Sequence, residues 1–293
     1  MNSSQTIGRA VFALPTPFTS HLVLDTGALV ANLEFLTSLG APPIVLNGTT
    51  GEFPSLTAAE RKLLLETAAR TYRGAILNHV GSCSTAEAVE LLRHSEEHAA
   101  ASLVVAPFYF VDAPEMGLRN HFAQVARHAR KPLYLYDFPR YVRVSLTPSF
   151  VASLASEFPI IRGIKSSAGD IELCERYRPY VAEVFVASET NVSDTLHRGF
   201  AGIIAGGANP VPEYLLSLAA EAEGNGKASE IAHAYESWNA FRRAAGGEMI
   251  AVIKAAMAAR LPGYPPFVRA PLIALDHEAQ TRVRAEVAAR IRR

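Results

Sequence analysis

The sequence predicts a (β/α)8 barrel with an appended C-terminal helical region. Three observations lead there. Short apolar runs rich in β-branched residues recur along the chain, they lack period-2 alternation, and each is followed by a longer stretch of helical periodicity. Runs without alternation are what strands buried on both faces look like, as in a parallel sheet covered by helices. Eight strand-then-helix units in one chain fit a closed barrel. An open doubly wound sheet is the rival, but it would be unusually long, and no Gly-X-Gly-X-X-Gly follows the first run.

The predicted strands are 9–14, 43–47, 75–80, 102–106, 132–136, 161–165, 183–187 and 202–205. The first helix spans 26–39, begins at Thr26 or just before it, and stops at Gly40, a residue suited to a helix end. The second, 57–70, opens on Thr57 with Glu60 three places later, the spacing of a capping box. The third, 85–99, repeats that opening with Thr85 and Glu87–Glu90. Helices at 115–130, 147–157, 170–180 and 190–199 follow the same rhythm. After about residue 209 the strand signal ends. AsnProValProGlu (209–213) opens a helix, and three more helical stretches cover roughly 228–244, 247–260 and 276–291. The expected organisation is a barrel over 1–225 and a helical region over 226–293 packed on it.

Composition excludes several classes. Apolar residues are 49% and charged residues 19%, as in an ordinary globular protein. Lys+Arg and Asp+Glu are both 28, so the basic excess of a nucleic-acid binder is missing. The basic stretch 282–293 has the spacing of a solvated helix face. No uninterrupted apolar run reaches the length of a membrane span, and the N-terminal stretch lacks the apolar segment of a signal peptide. Two cysteines, Cys83 and Cys174, are too few for a disulfide framework and read as reduced thiols in the cytoplasm. His94 and His98 stand at i, i+4, but HisSerGluGluHis is not the zinc-peptidase motif, and a solvated helix face is expected.

In a barrel of this kind the chemistry sits where strands end. Lys165 closes the run IleIleArgGlyIle, so its stem starts inside the barrel. Desolvation favours the neutral form of an amine, which can attack a carbonyl and form an imine. Tyr136 ends the neighbouring strand, where a phenol could relay protons. GlyThrThrGly (48–51) offers two hydroxyls and accessible backbone N–H groups for a carboxylate. Taken singly, each has an ordinary alternative: a solvated strand-end lysine, a core tyrosine, a capped βα turn.

Together, GlyThrThrGlyGlu (48–52), TyrAspPhePro (136–139) and GlyIleLysSerSerAlaGlyAsp (163–170) resemble the dihydrodipicolinate synthase / N-acetylneuraminate lyase family, over roughly residues 8–215. The resemblance implies a (β/α)8 barrel that forms a Schiff base with pyruvate. It makes Lys165 the imine lysine and Tyr136 the proton relay. Thr49 and Thr50 would hold the pyruvate carboxylate, with the Thr49 hydroxyl linked to Tyr136, and Ile204 would line the site through its carbonyl. AlaProPheTyr (106–109) makes Tyr109 the tyrosine that a neighbouring subunit lends, which implies a tight dimer, commonly paired into a tetramer. No metal or organic cofactor is implied.

The departures from the family pattern bear on the second substrate. Asp137 replaces an asparagine. Tyr141 stands where the synthases carry an arginine for the aldehyde's carboxylate, with Arg140 and Arg143 flanking it. The seventh strand ends in AlaSerGluThrAsn (187–191), so Ser188 and Glu189 would belong to a pocket particular to this chain. SerSerAlaGlyAsp (166–170) and GlyIleIleAlaGlyGlyAlaAsn (202–209) look closer to 2-keto-3-deoxy sugar acid aldolases. The expected activity is a lyase that makes or breaks the bond between pyruvate and an aldehyde, on such a sugar acid or a similar 4-hydroxy-2-oxo acid. 4-Hydroxy-tetrahydrodipicolinate synthase, a sugar-acid dehydratase, and a barrel that binds a 2-oxo acid without turnover are the alternatives.

Overall fold

The structure, a computed structural model, describes residues 7–110, 112–187, 189–190, 192–221 and 228–291. Eight strands form one closed parallel barrel in sequence order: β1 Ala10–Ala13, β2 Ile44–Leu46, β3 Ile76–His79, β4 Ala101–Val105, β5 Leu133–Asp137, β6 Ile161–Ser166, β7 Glu183–Val186 and β8 Gly202–Ala205. β8 closes the ring on β1, with Ala10 opposite Ile203 and Phe12 opposite Ala205. The predicted architecture is the observed one.

The twofold period of each strand sorts its residues into two cores. Val11, Ala13, Val45, Leu77, Leu103, Tyr134, Phe185 and Ile204 fill the barrel interior. Their neighbours Phe12, Ile44, Ile76, Val104, Leu135 and Ile164 point outward and pack beneath the helices. Both faces are apolar, which is why the runs showed no alternation. The lower interior is closed by a buried polar group. Tyr134 Oη donates to Glu183 Oε2 at 2.8 Å, and Arg162 Nε donates to Glu183 Oε1 at 3.3 Å.

The outer layer comprises α1 Thr26–Ser38, α2 Ala58–Thr71, α3 Thr85–His98, α4 Glu115–His128, the single-turn α5 Pro139–Val142, α6 Pro148–Glu157, α7 Ile171–Tyr177, α8 Val192–His197 and α9 Pro212–Glu221. Several of their starts follow from side-chain capping. Asp25 accepts from Ala28 N at 2.9 Å, and Thr57 and Glu60 form the expected capping box. Asp170 accepts from Leu173 N at 3.0 Å. The third helix departs from the expectation: its cap is Ser84, not Thr85. Thr85 is the first helical residue, and its hydroxyl meets His121 Nδ1 on α4 at 2.9 Å. α7 and α8 are shorter than expected, and α5 and a 3-10 turn at Phe53–Ser55 were not anticipated.

The C-terminal helices are α10 Ala228–Ala244, α11 Met249–Arg260 and α12 His277–Ile291. The expected boundary at 225/226 lies outside the described residues. α10, α11 and the α11–α12 connection are bonded to the barrel's mouth, and α12 packs on α11. Trp238, fully buried, donates Nε1–H to Gly207 O at 2.8 Å. Arg269, in the α11–α12 connection, pairs with Glu60 of α2 at 2.6 Å. Among the described residues, no helix is long and apolar enough to cross a membrane.

Candidate active site

The site is assembled from three strand ends. In the β5–β6 register Tyr136 lies opposite Lys165, and Asp137 lies opposite Ser166. Successive residues alternate faces, so Tyr136 and Lys165 share the barrel interior while Asp137 and Ser166 turn outward. Lys165 is 5% exposed, and its Nζ lies 4.1 Å from the centre of the Tyr136 ring. From β2, the Thr49 hydroxyl reaches Tyr136 Oη at 3.2 Å. Thr49, Thr50, Tyr136, Lys165 and Ile204 line one cavity of about 120 Å3 at the C-terminal mouth of the barrel.

The loop that presents the threonines is braced from several directions. Asn47 and Glu52, its two ends, have left-handed backbone conformations, with φ of 56° and 58°. Such a conformation is uncommon for non-glycine residues and persists where the surroundings hold it. Asn47 Nδ2 donates to Asn78 Oδ1 at 2.8 Å and to Arg61 O at 3.0 Å. Thr16 donates to Gly51 O at 2.7 Å. At the other end, the buried Glu52 carboxylate pairs with Lys254 of α11 and accepts from Arg269 N at 2.9 Å. Gly206, after β8, has no side chain because a Cβ there would lie 2.5 Å from the Thr50 hydroxyl. Among the described residues, the N–H groups of Thr49 and Thr50 enter none of the loop's backbone hydrogen bonds, and such donors are of the kind that hold an anion.

The departure at Asp137 takes its meaning from the alternation. Its carboxylate lies outside the barrel, 1% exposed, and accepts from Leu146 N at 3.0 Å, Tyr177 Oη at 3.4 Å and Ser166 Oγ at 3.5 Å. Burial raises its pKa, against the pull of those donors. It ties the end of β5 to the α5–α6 connection, β6 and α7, and it is not among the cavity residues.

The second-substrate candidates divide. Arg140 lines the cavity rim, exposed, with its guanidinium 6.0 Å from the Tyr141 ring centre. Arg143 is exposed at the end of α5 and is not among the cavity residues. Glu189 lines the cavity, but its carboxylate is already engaged: Gly207 N donates at 2.8 Å, Tyr235 Oη at 2.7 Å, and Arg242 lies 3.2 Å away. It ties the loop after β7 to the loop after β8 and to α10. Ser188 lies outside the described residues. Tyr109 is 75% exposed and is not brought to the cavity of its own chain.

Sequence reasoning missed the wall that α11 supplies. Met249, Ile250 and Ile253, on its first turns, complete the cavity. Nothing local marks them; they look like any apolar helix face. It also missed His79 at the end of β3, buried beside Tyr136 at 5.9 Å between ring centres. Burial holds the His79 imidazole well below its usual range, and the Arg61 and Lys165 charges add to this. As for metals, Glu66, His94 and His98 bring three donor atoms within 4.8 Å of one another between α2 and α3. His94 is therefore not simply a solvated residue; its Nε2 meets Glu66 Oε1 at 2.9 Å. That group is not among the cavity residues.

A parallel barrel with an interior lysine ending β6, a tyrosine beside it and a hydroxyl loop opposite defines an enzyme, a lyase of the class I pyruvate aldolase kind. The chain belongs to the dihydrodipicolinate synthetase family, which matches residues 6–290. It is 30% identical over 291 residues to a DapA-like lyase of Thermococcus kodakarensis, spanning 94% of this chain and 97% of that protein. It is 34% identical to the 4-hydroxy-tetrahydrodipicolinate synthase of Rhizobium meliloti over 176 residues, 59% of this chain and 60% of that protein. Among solved structures, the Escherichia coli prophage protein YagE, of the dihydrodipicolinic acid synthase family and in complex with pyruvate, superimposes with a TM-score of 0.84 at 25% identity. That match covers 95% of this chain and 97% of YagE.

Proposed function

We propose that this chain joins pyruvate to an aldehyde, or cleaves the resulting 4-hydroxy-2-oxo acid, through a Schiff base on Lys165. The observation that carries this reading is the grouping of Lys165 Nζ, Tyr136 Oη and Thr49 Oγ1 around one cavity. The Lys165 amine attacks C2 of pyruvate, and loss of water gives the protonated imine. The pyruvate carboxylate sits on the Thr49–Thr50 loop. Tyr136, having given its phenol proton to the hydroxyl that left as water, takes a proton from C3 as a phenolate, and the electron pair moves into the C2–C3 bond to give the enamine. C3 then attacks the aldehyde carbon, forming the C3–C4 bond, while the aldehyde oxygen takes up a proton. Water adds to C2 and releases the 4-hydroxy-2-oxo acid and the free amine. Cleavage runs the same steps backward.

Thr49 holds the phenol in place and shares its proton. The reading includes a homo-oligomer, a dimer or tetramer, in which Tyr109 of one subunit serves its neighbour, and a cytoplasmic setting. A 2-keto-3-deoxy sugar acid remains the substrate that the sequence resemblance favours. The synthase reading is weakened by Tyr141, which offers a phenol where that reaction uses an arginine. The test is borohydride reduction in the presence of pyruvate, followed by peptide mass spectrometry. A reduced pyruvyl adduct on Lys165 supports the mechanism; none with pyruvate or with any 2-oxo acid of a sugar-acid panel overturns it.

A further inference from the structure

α2 and α3 run side by side, and a row of charged side chains lines the seam between them. Residues four apart on a helix share one face. Lys62 of α2 pairs with Glu90 of α3. One turn further along both helices, Glu66 Oε1 meets His94 Nε2 at 2.9 Å. A third rung of the same kind would set an acid on α2 against His98, but the residue four beyond Glu66 is Arg70. His98 packs against His94 instead, with ring centres 4.8 Å apart and planes at 50°. One carboxylate is thus shared by two imidazoles, and the three groups bring their donor atoms within 4.8 Å of one another.

This is a donor set that suits a metal ion. Two imidazoles and a carboxylate make a four-coordinate site whose fourth place is left to water. Two histidines four apart present their rings on one helix face, one turn from each other. The Glu66 carboxyl is held below the usual carboxylate range, first by its hydrogen bond with His94 and then by the charges of His94, His98 and Arg70, so it is ionised. His98 is the last residue of α3, where the partial negative charge of a helix end favours a cation. The side chains of His94 and Glu66 are 16% and 39% exposed, so an ion reaches them without unfolding. Arg70 opposes a cation, but it is exposed, and its Nη2 donates to Thr67 Oγ1 at 3.4 Å.

We propose that Glu66, His94 and His98 bind a divalent transition-metal ion of the Zn2+ type, which ties α2 to α3. Imidazole donors select against Mg2+ and Ca2+, which take oxygen ligands. Bonds of about 2.0–2.2 Å to a tetrahedral Zn2+ set the donor atoms roughly 3.3 Å apart. Glu66 and His94 stand near that separation already, and a side-chain rotation brings in His98. The ion takes the place of the proton that Glu66 and His94 share, which passes to solvent. α3 leads from His98 into β4 at Ala101, so the site lies where the strands begin, at the end of the barrel away from Lys165 and Tyr109. It does not rest on the Schiff-base reading.

The experiment titrates ZnCl2 into the metal-free full chain, carrying no affinity tag, by isothermal titration calorimetry. One Zn2+ per chain is expected. Residues behind the ligands of a metal site are worth about 10–100-fold in affinity, so loss of a ligand in Glu66→Gln or in His98→Asn should weaken binding at least about ten-fold. Saturating Zn2+ should raise the urea midpoint of the wild type. Anomalous scattering from Zn2+-soaked wild-type crystals locates the ion even if a variant does not fold, and density in contact with all three side chains is expected. Four results would each overturn the proposal: no Zn2+ bound, affinity moved less than about ten-fold by either variant, an unchanged urea midpoint, or an ion that does not touch all three side chains. Glu66 and His94 are then an ion pair and nothing more.

Discussion

Two lysines, one at the end of β6 and one in α11, are buried almost equally and sit almost equally close to an aromatic ring. Lys165 is 5% exposed with its Nζ 4.1 Å from the Tyr136 ring centre; Lys254 is 0% exposed with its Nζ 4.2 Å from that of Phe18. They differ in what the ammonium touches. Lys254 pairs with the Glu52 carboxylate and donates to Phe267 O at 2.7 Å. Lys165 faces a cavity and, among the described residues, has no carboxylate within ion-pair distance. Burial alone therefore does not mark a reactive lysine. A structural lysine has its donors consumed, whereas a lysine for imine chemistry keeps its nitrogen facing open space, next to a group that can move protons.

Substituting each lysine separates the two roles. Lys165→Ala is expected to abolish the borohydride-trapped adduct and to lower turnover by a factor on the order of 10⁴ or more, with the urea midpoint unchanged or raised. Lys254→Ala is expected to do the reverse. It leaves Glu52 buried without its partner, a loss on the order of 3–5 kcal/mol, read as a lower urea midpoint, while the folded fraction still forms the adduct. The double variant Glu52→Gln/Lys254→Met should recover much of that stability, because a buried ion pair and an apolar substitute are often close in energy. If Lys254→Ala retains full stability, or Lys165→Ala retains the adduct, the comparison fails.

The neighbours of Lys165 give smaller effects. Tyr136→Phe keeps the ring and loses the proton relay. Turnover with an aldehyde should fall by about 10²–10⁴-fold, while a pyruvyl adduct still forms on long incubation. Thr49→Val removes the hydroxyl that holds the phenol at 3.2 Å. One neutral hydrogen bond corresponds to about ten-fold at most, and the loss should appear in kcat more than in KM. Undiminished turnover in either variant would remove that residue from the proposed machinery.

The same comparison explains what could be read from sequence and what could not. The barrel was legible because both faces of each strand are buried, so an unbroken apolar run carries the information. Lys165, Tyr136 and the threonine loop were legible because each directly follows such a run, where a parallel barrel gathers its chemistry. The consequence of Asp137 is legible in principle, since period 2 puts residue 137 on the face opposite Tyr136, although the motif comparison alone sets it beside the site residues. Lys254, Ile250 and Ile253 were not legible. Their roles depend on α11 lying over the mouth of the barrel, a placement made by contacts about 200 residues apart in sequence, such as Lys254 with Glu52. The same distance hid the fact that Glu189 is engaged by Tyr235 and Arg242 of α10.

A third kind of buried basic group has, among the described residues, no carboxylate within ion-pair distance and stays neutral. His121 of α4 is 4% exposed, and burial holds its imidazole at about 4. An unfolded histidine titrates near 6.5. Between these values the unfolded chain binds a proton that the folded one does not, so stability falls as pH drops from about 6.5 toward about 4 and is fully present above that range. One such group contributes a slope of up to about 1.4 kcal/mol per pH unit. His79, held low by burial and then by Arg61 and Lys165, adds to the same acid sensitivity. Urea midpoints measured across this range should fall steeply in the wild type and less steeply in His121→Gln, by no more than the slope of one proton. Equal slopes would mean that His121 gains its proton without unfolding, and that this part of the structure tolerates an unpaired buried cation where the Lys254 pair implies it does not.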